Sequence, residues 1–207
     1  MTLDATQALD RLREGNQRFV ANGAAGHARW NRAELLAGQE PFAIILGCSD
    51  SRVPAELVFD RGFGDLFVIR VAGNIVAPSQ VGSVEFAASR FGTRLVVVIG
   101  HSQCGAVTAT LDEIQGRAST QSRNQRSIVD RIRPSVEQLM ALRQTDDPDA
   151  LLHDAVRANV RASAHQLRHG SELLEQLIHA EGLVVVGAEY SLETGIVDFF
   201  DGVPGIG

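Results

Sequence analysis

Four short runs constrain this chain more than any other feature. Residues 42–47, 66–71, 95–100 and 183–187 are almost wholly aliphatic or β-branched. A run apolar on both faces reads as a strand buried on both sides, as in a parallel sheet. Helical spacing fills the intervals. Val81, Val84, Phe86, Ala87 and Phe91 repeat before Gly92, and Ala106, Ala109, Leu111 and Ile114 follow the third run. Ile128, Ile132, Val136, Leu139 and Leu142 make a further helix, and residues 151–180 make one or two more. Residues 196–200 return from Glu193-Thr194-Gly195 and read as an antiparallel edge. The expected fold is α/β: a central, mostly parallel sheet of four strands plus an antiparallel edge strand, flanked by helices.

The 207 residues suit a single domain spanning 1–207, with residues 1–38 as an N-terminal helical arm. Leu9, Leu12, Phe19 and Val20 give the helix over 5–20 only a narrow apolar stripe. A long link through Trp30, Leu35 and Leu36 separates it from the first strand. The stripe looks too narrow to serve a monomer core well, although packing on its own domain and on a neighbouring subunit both remain open. Residues 115–124 and 144–149 read as loops, the second ending in a helix start at Asp147-Pro148.

Composition excludes several chemistries. The net charge is −6 and there is no basic run, which disfavours nucleic acid and anionic membranes as partners. All 19 basic residues are arginine. No lysine is available for a Schiff base, a Walker-A loop or a general base. Residues 1–12 carry Asp4, Asp10 and Arg11 without an apolar core, and no run approaches the ~18 residues of a membrane span. Two cysteines do not make a secreted disulfide framework, so a cytoplasmic protein is expected.

Both cysteines follow expected strands: Cys48 in Gly47-Cys48-Ser49-Asp50-Ser51-Arg52, and Cys104 in Gly100-His101-Ser102-Gln103-Cys104-Gly105. In an open α/β sheet, ligands bind outside the carboxyl ends of the strands. Two thiols and an imidazole delivered there are donors that zinc prefers, and three of them leave a tetrahedral position open. A lone cysteine is more often a small core residue, and a redox thiol pair is the rival reading. That rival leaves His101 and Asp50-x-Arg52 unexplained. His27, His153, His165, His169 and His179 read as solvated surface residues.

Cys48-x-Asp50-x-Arg52, the stretch Gly64-Asp65-Leu66-Phe67-Val68-Ile69-Arg70-Val71-Ala72-Gly73-Asn74, and Gly100-His101-x-x-Cys104-Gly105 together resemble the β-class carbonic anhydrases. The likeness runs from Leu9-x-x-Leu12-x-x-Gly15-Asn16-x-x-Phe19 to Tyr190 and beyond. It implies one zinc ion per chain on Cys48, His101 and Cys104. It implies catalytic roles for Asp50 and its partner Arg52, and reversible hydration of carbon dioxide to bicarbonate and a proton by zinc-bound hydroxide. Gln39, Phe67, Val71, Phe86 and the Gly105 amide would line the substrate pocket. Phe86 stands where many relatives have tyrosine. The pocket would lie at the interface of a homodimer, with a homotetramer as the larger assembly. In a closed form Asp50 would itself bind zinc. The bicarbonate pocket of some relatives maps onto Arg70 and Tyr190, but Ile45 stands where they have tryptophan. Gly73-Asn74 reads as a backbone requirement near the site and not as a catalytic pair. Hydrolysis of carbonyl sulfide or carbon disulfide on the same site, and a structural zinc protein, are the alternatives.

Overall fold

The computed structural model describes residues 3–23, 36, 38–119, 122–142 and 147–205. His27, Trp30, Leu35 and parts of the two expected loops lie outside the described residues. The sheet has five strands: β1 (Ala43–Gly47), β2 (Leu66–Arg70), β3 (Leu95–His101), β4 (Val184–Tyr190) and β5 (Val197–Asp201). Their order is β2-β1-β3-β4-β5. The first four strands are parallel and β5 runs antiparallel to β4, as the sequence predicts. The helices are α1 (Ala5–Asn22), α2 (Ala55–Val58), α3 (Pro78–Phe91), α4 (Gly105–Ile114), α5 (Arg123–Leu142), α6 (Pro148–His169) and α7 (Glu172–Glu181), with a 3-10 turn at Ala72–Asn74. No described helix is long and apolar enough to cross a membrane.

Alternation along the strands divides the core. Ile44, Leu46, Val96 and Val98 pack under Val84 of α3, Val160 and Leu167 of α6, and Leu174 of α7. Ala43, Ile45, Val97, Ile99 and Ala188 face the other way and meet α1 through Ala5, Ala8, Leu9 and Leu12. Leu9 and Leu12 are 1% and 0% exposed. This corrects the expectation that the stripe of α1 is too narrow for a monomer core. A sheet buried on both faces leaves one face bare unless α1 covers it, and a stripe of small residues suffices where helix and sheet approach closely. A Cβ on Gly15 would sit 1.9 Å from the Phe59 carbonyl oxygen. Buried Asn16 completes the seam, donating to the carbonyls of Val58 at 3.1 Å and Gly195 at 2.8 Å and accepting from the Val197 amide at 2.9 Å.

Two further corrections concern the strands. β2 is an edge strand, with Phe67 and Val68 only half-buried, so residues 66–71 are not covered on both sides as expected. β4 continues past the expected end at residue 187 to Tyr190. Glu189 disguises the extension. Its buried carboxylate is matched by Arg157 and His153, each at 3.3 Å. Of the one or two helices expected over 151–180, two form, α6 and α7, broken at Gly170 with Ser171 capping the second.

Candidate metal centre

Strand order reverses between β1 and β3, since β1 is flanked by β2 on one side and β3 on the other. At such a switch point the chains leaving the two strands diverge and open a crevice at their carboxyl ends. Cys48 leaves β1 there. His101 ends β3, and Cys104 caps the start of α4. Gln103, with φ of 56°, turns the chain sharply enough to bring Cys104 back beside His101. The Cys48, His101 and Cys104 donor atoms all lie within 4.8 Å of one another, and all three residues are buried.

Hydrogen bonding selects the atom that His101 offers. Its Nδ1 lies 2.9 Å from the Ser102 carbonyl oxygen. That oxygen can only accept, so Nδ1 carries the proton and Nε2 presents its lone pair. Nε2 is buried, has no hydrogen-bond partner and faces the two sulfurs. A buried lone pair left unsatisfied is costly, and a cation bound between the thiolates would satisfy it. The donor set therefore fits a metal that accepts two thiolates and one imidazole, the first choice being zinc.

The thiols are unequal. The Cys104 thiol as hydrogen-bond partner, with help from His101 and the Gly73 amide, outweighs burial and holds the Cys48 thiol below its usual range. Cys104 is pushed up by sharing that bond with Cys48 and by burial, against the pull of the Val107 and Ala106 amides at the start of α4. Burial opposes protonation of His101, but Cys48, the Ser102 carbonyl and Asp50 together raise its pKa.

Asp50 stands at the rim, with Oδ2 3.8 Å from His101 Nε2. Arg52 grips both of its oxygens, and this pairing holds the carboxyl well below the usual carboxylate range. Arg70, which matches the arginine of the bicarbonate pocket in some relatives, spans the loop beneath. It donates to the carbonyls of Cys48 at 3.0 Å and Asp50 at 2.5 Å. Tyr190 is buried, its ring 6.4 Å from that of Phe19.

The five expected pocket residues divide. Val71 packs beside Cys48, its amide bonded to the Gly47 carbonyl at 3.1 Å, and Gly105 opens α4 next to Cys104. Gln39, Phe67 and Phe86 are not brought to the Cys–His–Cys group of their own chain. Gln39 lies before β1, where it lines a cleft of about 420 Å³ with Arg11, Arg90 and Phe91. Phe67 pairs with Ile44 near the start of the sheet and clusters with Phe86 and Phe91 at 6.2 and 6.1 Å between ring centres. Phe86 is 54% exposed. Gly73-Asn74, read from the sequence as a backbone requirement near the site, is one, but sequence reasoning missed its support by Asn159. The Gly73 amide lies 3.3 Å from Cys48 Sγ, and the buried side chain of Asn159 on α6 reaches the Gly73 carbonyl. A polar residue on the apolar face of a helix was the available signal.

Comparison with known proteins gives this arrangement its context. The model of the carbonic anhydrase family matches residues 43–197. Carbonic anhydrase 2 of Mycobacterium tuberculosis is 38% identical over 199 residues, covering 95% of this chain and 93% of that protein. The carbonic anhydrase of Mycolicibacterium smegmatis is 36% identical over 191 residues, covering 90% of this chain and 89% of that protein. The β-carbonic anhydrase CafA of Aspergillus fumigatus has the same fold, with a TM-score of 0.75 at 24% identity over 95% of this chain and 90% of that one. The Cys–His–Cys group at the switch point of this sheet could hold a metal ion, and the chain, related to these enzymes over nearly its whole length, belongs to the β-class carbonic anhydrases.

Proposed function

We propose that this protein catalyses the reversible hydration of carbon dioxide to bicarbonate and a proton on one zinc ion per chain. Cys48 Sγ, His101 Nε2 and Cys104 Sγ would hold the ion. The observation that carries this reading is the buried, unpartnered Nε2 facing two sulfurs beside a carboxylate locked by arginine. A structural cross-link would need neither Asp50 nor Arg52. Bound zinc supplies Lewis acidity, lowering the pKa of water in its open position to ~7.

The remaining work falls to the chain. Asp50, whose Oδ2 lies 3.8 Å from His101 Nε2, would accept a hydrogen bond from the attacking water and orient it toward the substrate carbon. Arg52 keeps Asp50 ionised and aimed. The Gly105 amide, in the first turn of α4 and so without an intrahelical acceptor, donates to a substrate oxygen. Val71 provides a dry wall for a small apolar gas.

Gln39, Phe67 and Phe86 would complete the pocket from a second subunit. β1 alone spans about 16 Å at ~3.3 Å per residue, and Gln39 and Cys48 lie beyond its opposite ends. The protein would therefore act as a homodimer or a pair of dimers, and in the cytoplasm. Metal analysis and a carbon dioxide hydration assay on one purified sample test the reading. Stoichiometric zinc without hydration would overturn it, and carbonyl sulfide and carbon disulfide run in parallel would identify the hydrolytic alternative.

A further inference from the structure

We propose that Asn159, with Ser163 one turn further along α6, is a positioning residue for the metal centre. It clamps the turn whose amide donates to the Cys48 sulfur, and so sets how much charge that sulfur gives to the metal. The inference rests on Cys48, His101 and Cys104 being the ligands. The chain of contacts is short. Asn159 Nδ2 donates to the Gly73 carbonyl at 2.8 Å, and Ser163 Oγ donates to the Asn74 carbonyl at 3.0 Å. The Gly73 amide then lies 3.3 Å from Cys48 Sγ.

The turn needs holding. Gly73 and Asn74 have φ of 69° and 43°, two consecutive residues in the left-handed region, where an asparagine is strained. Glycine is the residue freest to rotate, so nothing intrinsic keeps its amide on the sulfur. Packing closes the turn from one side: a Cβ on Gly73 would meet Ile132 Cδ1 at 2.7 Å and Ala106 Cβ at 3.0 Å. Asn159 and Ser163, 1% and 5% exposed, close it from the other and pin two successive carbonyls. The clamp stands on a firm base. α6 lies so close to β3 that a Cβ on Gly100 would sit 2.7 Å from Val160 Cγ2. Polar side chains that hold a metal ligand's hydrogen-bond partner tune the metal as well as the fold.

The test uses the full-length protein loaded with zinc, and separately with cobalt(II), whose thiolate charge-transfer absorption reports sulfur donation directly. Asn159→Leu keeps the volume and removes the donor. It should weaken zinc about tenfold or more in competition with a chromophoric chelator. It should also move the charge-transfer band to lower energy, because a sulfur relieved of its N–H donor holds its electrons less tightly. Ser163→Ala should shift the band the same way by less, and carries the test if Asn159→Leu does not fold. Leu174→Ala, buried in a cluster without a metal ligand, is the control and should lower the melting temperature with the band unmoved. An unmoved band in the Asn159 and Ser163 variants, or an equal shift in the control, overturns the clamp while leaving the zinc reading intact. Wild-type protein that takes up no metal overturns both.

Discussion

Arg52 meets Asp50 through three contacts: Nε to Oδ1 at 2.9 Å, Nη2 to Oδ2 at 2.8 Å, and its own amide to Oδ1 at 3.0 Å. Two residues apart, the pair forms a closed ring in which the carboxylate has almost no freedom to turn. The guanidinium fork is half exposed, so the pair contributes little to stability and much to aim. Asp50→Asn should cut kcat/KM by about 10²–10⁴, the range for a positioned proton acceptor, without loss of zinc. Arg52→Lys, which cannot make the fork, should lose roughly tenfold or more. Stopped-flow hydration with metal analysis checks both, and full activity in Asp50→Asn would exclude this role.

The ligand set predicts a different pattern. Cys48→Ala, His101→Ala and Cys104→Ala should each abolish stoichiometric zinc. Because metal binding is coupled to folding, each should also melt lower than the wild-type holoprotein. A chelator should lower the wild-type melting temperature and leave these variants unaffected. A Cys104→Ala protein that holds one zinc tightly would show the set to be wrong.

Much of this was legible in the sequence, for identifiable reasons. The runs that became β1 and β3 are apolar on both faces because both faces are covered, so pattern and burial agree. Cys48, His101 and Cys104 were visible because strand ends are where such residues gather. Legibility failed where a residue's environment is set by something distant in sequence. Glu189 hid the end of β4 because Arg157 and His153, which meet its carboxylate, lie on α6. The stripe of α1 looked inadequate because Gly15, which permits the close approach, and Asn16, which stitches three segments together, are not apolar. Asn159 shows in the sequence only as a polar residue on an apolar helix face, because the carbonyl it supports lies 86 residues away.

The seating of α1 changes what a truncation does. Deleting residues 2–20 would uncover Ala43, Ile45, Val97 and Ile99, and should yield insoluble or unfolded protein instead of an active monomer. Finer changes are more informative. Leu12→Ala should cost about 2–5 kcal/mol as a buried large-to-small change. Asn16→Ala leaves two carbonyls and an amide unpartnered and should cost about 1–3 kcal/mol. Denaturant unfolding measures both. A soluble, folded 2–20 deletion would show that α1 is an accessory arm after all.

If the partner's Gln39 completes each pocket, complementation follows. Gln39→Ala and Asp50→Asn homodimers should both be impaired. In a mixed dimer one pocket has an intact Asp50 together with the partner's intact Gln39, and the other has neither. Random exchange makes half the dimers mixed, so the mixture should regain about a quarter of wild-type activity. No recovery after verified subunit exchange would place Gln39 outside the partner's pocket.

The last expectation concerns pH. Arg52 holds the Asp50 carboxyl well below its usual range. A depressed folded-state pKa puts the pair's contribution to stability fully in place above the unfolded value of ~4, and removes it only as pH falls through the folded value. Between pH 5 and 9, then, the pair does not open by its own titration. What changes there is its competitor: ionised water holds zinc far better than neutral water, so acid favours a carboxylate in the open position. Activity should fall below about pH 7–8, the range where zinc-bound water ionises, with Asp50 leaving Arg52 for the metal. A bicarbonate lock should not reinforce the closed form. Ile45 is fully buried in the sheet core where relatives with that pocket have tryptophan, and Arg70 is committed to the Cys48 and Asp50 carbonyls. Excess bicarbonate should therefore inhibit only as a product, without cooperativity. Crystal structures of the zinc protein at acid and alkaline pH, both without bicarbonate, decide the matter. Asp50 on the metal at acid pH and on Arg52 at alkaline pH is the expected result. Asp50 held by Arg52 at both would rule out the switch.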